Sequence, residues 1–237
     1  MEVKNLRFKY PKAKKYVLKD VSFKCKKGKL KVIAGLNGSG KTTLFDCITR
    51  VLTPESGSID FLDTKEILYL TQTIYFSLVI KGKDLAKYIS VLNDEPLDYK
   101  SEDFRGQLTD REKERFEHLM DLKIGKMSVG ERRWLFITLL SAIDRSVYFF
   151  DEPVSGVDPS SRRRIFARIN RLIADGKLCL ISTHQLQDLT HVDCHFILLH
   201  NGTILYEGDF QEWLKTHQSN DPDEVFERMT SGMGSDV

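Results

Sequence analysis

The sequence predicts an α/β fold in which helices cover a core of parallel strands, with an N-terminal antiparallel β subdomain and a helical insertion. Three observations carry that prediction. A buried-looking run, Leu30 to Ala34, feeds the loop Gly35-Leu36-Asn37-Gly38-Ser39-Gly40-Lys41-Thr42-Thr43, and helical spacing follows at Leu44, Phe45, Ile48 and Leu52. Between 147 and 182 an apolar strand, an amphipathic helix and a second apolar strand succeed one another, the βαβ pattern of a parallel sheet. Between those regions, roughly 73 to 144, the period is helical.

In chain order, Val3 to Phe8 and Val17 to Cys25 read as antiparallel strands around a turn at Pro11, with a Lys-Gly turn at Gly28. Ser58 to Phe61 and Ile67 to Leu70 continue this opening set as short strands after the turn Pro54-Glu55-Ser56-Gly57. Leu85, Tyr88, Ile89 and Leu92 mark one amphipathic helix of the insertion. Thr109 with Glu112 forms a capping box that opens a second, with Phe116, Leu119 and Met120 inward, and a third runs from Gly130 to about Ser141. Val147-Tyr148-Phe149-Phe150 is apolar on both faces and reads as a central parallel strand. A helix from about Ser160 to Ala174 follows, capped by Gly176, and then the strand Leu178 to Ser182. Phe196 to Leu199 and Ile204 to Glu207 form a hairpin across Asn201-Gly202. Helical patterns at Phe210 to Lys215 and Val225 to Met229 precede a Ser/Gly end expected to fray. The expected organisation is one domain in three parts: a core of 1–72 and 145–208, a helical subdomain of 73–144, and a helical tail of 209–237.

A hydrophobic fraction of 41% over 237 residues supports a real core and excludes overall disorder. The net charge of +2 gives no polyanion-binding signature, so no nucleic-acid partner is expected. Basic residues are dense between Lys4 and Lys31 (Lys12, Lys14, Lys15, Lys24, Lys26, Lys27, Lys29), a pattern open to an anionic membrane face or nucleic acid. They read better as the wet sides of strands, because Val21, Phe23 and Cys25 alternate with polar or basic neighbours. The cysteines Cys25, Cys47, Cys179 and Cys194 are scattered, which points to reduced thiols in a cytosolic protein. His191, Cys194 and His195 lack a second ligand pair at zinc-like spacing, so no metal is expected there. The most apolar stretch, Trp134 to Ile143, is too short to span a bilayer, and no charged-then-apolar start with a cleavage site is present. Any membrane part of the work is therefore expected in another chain.

Two motifs carry chemistry. The loop from Gly35 to Thr43 fits G-x-x-x-x-G-K-[ST] between a strand and a helix, the context of a P-loop NTPase core. Its three glycines let backbone amides curl around phosphate oxygens, and the helix that follows adds its positive end. Lys41 neutralises the terminal phosphates and the Thr42 hydroxyl is placed to ligate Mg²⁺. The second motif, Tyr148-Phe149-Phe150-Asp151-Glu152-Pro153, delivers two carboxylates to a strand end, where open α/β sheets bind ligands. Asp151 suits the Mg²⁺ shell, and Glu152 suits orienting and polarising the attacking water.

With these motifs in order, the chain resembles the ATP-binding cassette family over about residues 2 to 208, as a stand-alone nucleotide-binding subunit. The resemblance implies ATP and Mg²⁺ as ligands, with Asn37, Gly38, Ser39, Gly40, Lys41, Thr42 and Thr43 cradling phosphate. It implies that Gln72 touches Mg²⁺ and the water, that His184 in Ile181-Ser182-Thr183-His184 contacts the γ-phosphate, and that Ser155-Gly156-Val157-Asp158 crosses a dimer interface. Tyr10 matches the aromatic that stacks on adenine, with Tyr16 as the alternative. The usual signature Leu-Ser-Gly-Gly-Gln is here Met127-Ser128-Val129-Gly130-Glu131. Ser128 and Gly130 keep the atoms that reach the partner's ATP, whereas Val129 adds bulk and Glu131 a negative charge near a polyanion. That departure suggests pairing with a different cassette whose signature is regular. The implied function is ATP hydrolysis powering transport through a separate membrane permease, with a second nucleotide-binding subunit, on the inner face of the membrane. The Ser-Thr-His motif and short tail resemble exporters of drugs, peptides or lantibiotics. The alternatives are a translation or DNA-repair ATPase, or a regulatory cassette with weak hydrolysis.

Overall fold

The computed structural model describes residues 1–60, 63–73, 76–91 and 98–231. In chain order these form β1 (Glu2–Phe8), β2 (Leu18–Lys24), β3 (Leu30–Ala34), α1 (Lys41–Ile48), β4 (Ser56–Asp60), β5 (Ile67–Leu70), α2 (Gly82–Val91), α3 (Glu102–Gly106) and α4 (Asp110–Asp121). There follow α5 (Val129–Leu140), β6 (Val147–Phe150), α6 (Pro159–Ala174), β7 (Leu178–Thr183), β8 (Cys194–His200), β9 (Thr203–Asp209), α7 (Phe210–Thr216) and α8 (Pro222–Thr230). Phe61, Leu92 and the Ser/Gly end beyond Ser231 lie outside the described residues.

Alternating burial builds the first layer. Val3, Leu6 and Phe8 of β1 and Leu18, Val21 and Phe23 of β2 turn inward, and β2, β1 and β4 pair antiparallel in that order. The exposed Lys24, Lys26 and Lys27 are the solvent side of this layer, as the alternation implies. The second sheet has the order β5-β6-β7-β3-β8-β9, parallel except for β9, which returns antiparallel across Asn201-Gly202. Both turn residues have positive φ (48° and 79°), the conformation that an Asn-Gly pair accepts most readily.

Strands of this sheet are covered on both faces, so successive residues feed different cores. Ile33, Phe149, Leu180 and Ile197 join α1 and the antiparallel layer, whereas Val32, Tyr148, Ile181 and Phe196 pack towards α5, α6 and α7. The same logic corrects the reading of Ile67 to Leu70 as part of the opening antiparallel set. β5 pairs parallel with β6 at the sheet edge, with Leu68 and Leu70 in one core and Ile67 and Tyr69 against the other.

In the insertion, the Thr109 and Glu112 capping box is formed, and Phe116, Leu119 and Met120 are buried. Gly82 opens α2 where backbones nearly touch, since a Cβ there would lie 2.4 Å from the Leu119 carbonyl oxygen. Leu85, Ala86 and Ile89 form the inner face of α2, but Tyr88 is 54% exposed, with its ring edge-on to Phe76. The sequence period did not reveal α3, which is too short to carry one; its Ser101 cap and buried Phe104 hold it. Among the described residues no helix is long and apolar enough to cross a membrane.

One buried cation ties the insertion to the core. Arg168 of α6 is 3% exposed, and donates Nε to Ser141 Oγ (3.2 Å), Nη1 to the Gln107 carbonyl (3.3 Å) and Nη2 to Gln107 Oε1 (2.8 Å). Burial lowers its pKa to about 10, so it remains charged at neutral pH. Removing it from α6 strands its acceptors on the insertion, Ser141 Oγ and both Gln107 oxygens. Arg168→Ala is therefore expected to lower stability by about 2–4 kcal/mol, read as a reduced urea midpoint, with Arg168→Lys losing less.

Candidate active site

The strand order sets the C-terminal ends of β3, β7, β6 and β5 in a row. β3 delivers the phosphate loop, β7 ends in Ser182 and Thr183 with His184 next, β6 runs into Asp151 and Glu152, and β5 is followed by Gln72. Residues far apart in sequence thus meet along one edge of the sheet, where such sheets bind ligands.

Glycine is needed in the loop for two different reasons. At Gly35 a Cβ would lie 2.1 Å from the Leu199 carbonyl oxygen. Gly38 and Gly40 have φ of 83° and 108°, which turn the chain back over the start of α1. Gly40 is the N-cap of α1 and no side chain caps that helix, so its first-turn amides are left for an anionic ligand. Lys41 is 6% exposed, and its Nζ donates to the carbonyls of Gly35 (2.8 Å) and Leu36 (3.1 Å) and lies 3.7 Å from Glu152 Oε1. Burial lowers the Lys41 pKa, against the opposing pull of Glu152 and Asp151.

Both carboxylates are buried and each has specific partners. Thr42 Oγ1 donates to Asp151 Oδ2 at 2.7 Å, and the Ser182 hydroxyl donates to Asp151 Oδ1. Ser182 Oγ also accepts the Glu152 N–H at 2.8 Å. That bond steadies a residue with φ of 48°, a left-handed backbone that a glutamate seldom adopts. Glu152 Oε2 lies 2.8 Å from His184 Nδ1 and 3.4 Å from Gln72 Nε2. Arg133 of α5 reaches the same place, donating Nη2 to the Gln72 carbonyl at 2.9 Å. Burial lowers the Arg133 pKa while Asp151 and Glu152 raise it.

Tyr10, Asn37, Gly38, Gly40, Lys41, Thr42, Thr43, Gln72 and Glu152 line a single cleft of ≈ 540 Å³. Ser39 is buried rather than part of its lining. Tyr10 shares a 3.1 Å hydrogen bond with Thr43 Oγ1 and lines the cleft as a residue 44% exposed. Tyr16 is engaged elsewhere, bonded to Glu55 at 2.7 Å beneath Arg7 and Lys9. Thr42 and Asp151 present adjacent hard oxygen donors with Gln72 beside them. That set fits Mg²⁺, which takes few protein ligands and completes its shell with phosphate and water.

Ser128, Gly130 and Asp158 are not brought to this cleft. Ser128 caps α5, and its Oγ accepts the Glu131 N–H at 3.1 Å. Asp158 caps α6, and hydrogen bonds from Ser161 and Ser160 hold its carboxyl well below the usual range. The two helix starts are packed together, since a Cβ on Gly130 would lie 2.5 Å from Ser161 Oγ and 2.9 Å from Asp158 Oδ2. The charge of Glu131 does not stand free: Oε2 accepts the Ser128 N–H at 2.9 Å and Oε1 meets Arg115 at 3.2 Å.

Sequence reasoning missed Ser182 and Arg133. Ser182 lay inside a motif read for its histidine, and Arg133 acts on a backbone carbonyl, which leaves no trace in side-chain spacing.

A family model described as ABC transporter matches residues 18–155, more than half of the chain. The protein McbF of Escherichia coli is 27% identical over 220 residues, covering 92% of this chain and 89% of its own length. The energy-coupling factor transporter ATP-binding protein EcfA1 of Thermotoga maritima is 33% identical over 221 residues, covering 84% of this chain and 79% of its own. A crystal structure of a nucleotide-free ATP-binding cassette from an ABC transporter superposes with a TM-score of 0.74 at 25% identity, covering 95% of this chain and 97% of that one. The chain belongs to the ABC transporter family, as one of its ATP-binding, ATP-hydrolysing subunits.

Proposed function

We propose that Glu152 is the general base of ATP hydrolysis in this chain, and that two cassettes close head to tail so that each completes the other's site. The observation that supports the reading most is the convergence of Lys41, Gln72 and His184 on the Glu152 carboxylate, with Asp151 tied to Thr42 beside it. In this reading the loop amides and Lys41 bind the β- and γ-phosphates, His184 contacts the γ-phosphate, and Tyr10 stacks on adenine. Glu152 then takes a proton from a water that Gln72 helps to place. Thr42, Asp151 and Gln72 would hold Mg²⁺, which supplies charge neutralisation between the phosphates. Ser128, Gly130 and Asp158 serve the partner's nucleotide, in keeping with their position away from the chain's own cleft.

The remaining surface fits a permease. Phe76, Leu78, Ile124, Val129, Arg132, Arg133 and Phe136 line a cleft on the helical insertion, and Leu78 and Val79 beside it are 56% and 70% exposed. An apolar groove with cationic edges suits an amphipathic helix of a membrane subunit. Arg133 lines this groove and also grips Gln72, so movement at one is felt at the other. The protein would act at the inner face of the membrane through that permease. Export of a drug, peptide or lantibiotic-type substrate is the direction suggested by the Ser182-Thr183-His184 motif.

Glu152→Gln is expected to keep Mg-ATP affinity while steady-state phosphate release falls about 100-fold or more; unchanged turnover would remove Glu152 from its role. Leu78→Glu is expected to leave Mg-ATP binding intact and abolish co-isolation of a membrane subunit from gently solubilised membranes. Undiminished co-isolation would move the docking surface elsewhere.

A further inference from the structure

We propose that Arg162 and Asp188 are positioning residues for ATP hydrolysis: their ion pair fastens the turn that follows His184 to the loop 155–158, so that histidine and loop are held as one unit. This builds on the reading above, in which His184 contacts the γ-phosphate and the loop faces the partner cassette.

The contacts run from one segment to the other through a single side chain. Arg162 ends the first turn of α6, four residues after its cap Asp158. Its Nη2 donates to the Val157 carbonyl inside the loop at 3.1 Å, and its Nη1 meets Asp188 Oδ1. Asp188 belongs to a short 3₁₀ turn, Leu186–Leu189, that begins two residues after His184, and the buried Leu186 and Leu189 fix that turn against the core. The Gln185 N–H donates to Thr183 Oγ1 at 3.0 Å, so the chain bends at once off β7. Asp188 thus stands four residues beyond His184, whose Nδ1 lies 2.8 Å from Glu152 Oε2.

The pair is poorly explained as a device for stability. The Asp188 side chain is 8% exposed, and burial raises its pKa while Arg162 and His184 pull it back. Among the described residues, Arg162 Nε, Asp188 Oδ2 and Gln185 Oε1 are buried without a hydrogen-bond partner. Unpaired buried polar groups cost stability, and an apolar contact would join two segments more cheaply. A guanidinium does what an apolar contact does not: its planar fork serves the carboxylate and the Val157 carbonyl at once, which fixes direction as well as distance.

Steady-state phosphate release separates positioning from folding. Asp188→Asn keeps the size of the side chain and removes its charge, whereas Arg162→Lys keeps a cation opposite Asp188 but not the fork. Both are expected to lower kcat about tenfold while KM for Mg-ATP stays within about twofold, the split that a misplaced contacting group produces. Arg162→Met/Asp188→Leu removes both charges and strands neither, so it is expected to fold even where a single variant does not, with the same loss of kcat. An unchanged kcat in Asp188→Asn or in the folded double variant overturns the proposal. Full activity in Arg162→Lys does so too, since charge balance alone would then be the role of the pair. His184→Ala tells the two readings apart. Full turnover in that variant removes the histidine from the γ-phosphate, and the proposal falls with it. A slow His184→Ala beside a fast Asp188→Asn leaves the reading of the site intact and overturns the proposal alone.

Discussion

Two adjacent carboxylates buried at the end of one strand are the constraint that the rest of the site answers. Asp151 and Glu152 are 1% and 5% exposed, and ionised groups so removed from water persist only with close, well-directed partners. Each neighbouring element supplies one. α1 brings Lys41 and the Thr42 hydroxyl, β7 brings Ser182 with His184 just after it, and the segment after β5 brings Gln72, whose backbone carbonyl is held by Arg133 of α5. The groups that make burial tolerable are also those the proposed hydrolysis would use: a cation for phosphate, a hydroxyl for the metal and a histidine against the proposed base.

Sheet topology explains why this is possible at so few positions. β7 lies between β3 and β6, so its last residues stand between the phosphate loop and the carboxylates. A hydroxyl at Ser182 then reaches both Asp151 and the Glu152 amide, while the histidine two residues later reaches the Glu152 side chain. The left-handed backbone at Glu152 follows from the same crowding: the chain turns sharply off β6, and the Ser182 bond holds it in that turn. β5, outermost on this side, leads Gln72 towards the same carboxylate from the opposite flank.

What the sequence revealed follows the range of each interaction. The phosphate loop, the Thr109 capping box and the Asn201-Gly202 turn are local, so a few adjacent residues specify them. β6 and β7 were legible because burial on both faces leaves an uninterrupted apolar run. The edge strand β5 has no such run: four residues with partial burial on one face fit either sheet, and only pairing with β6 decides. The contact of Arg133 with the Gln72 backbone spans 61 positions, and that of Ser182 with Asp151 spans 31. Nothing in local spacing marks contacts of that kind. Tyr88 failed for a different reason: helical period places it beside Leu85 and Ile89, but it stands at the margin of that stripe, 54% exposed with its ring edge-on to Phe76.

The signature shows how a local motif can mislead when its neighbours are unknown. Read alone, Glu131 sets a negative charge against phosphate. In the fold, both oxygens of that carboxylate are occupied, one by the amide at the start of its own helix and one by an arginine sixteen residues earlier. The capping amide is part of the helix N-terminus, whose positive end offsets negative charge, and Arg115 adds a full cation. Gly130 cannot change, because Ser161 and Asp158 fill the space a side chain would need, whereas the outward-facing Val129 meets no such wall. The departure from the family pattern therefore falls at the positions where α4 or solvent can absorb it, and the position pressed against α6 keeps its glycine.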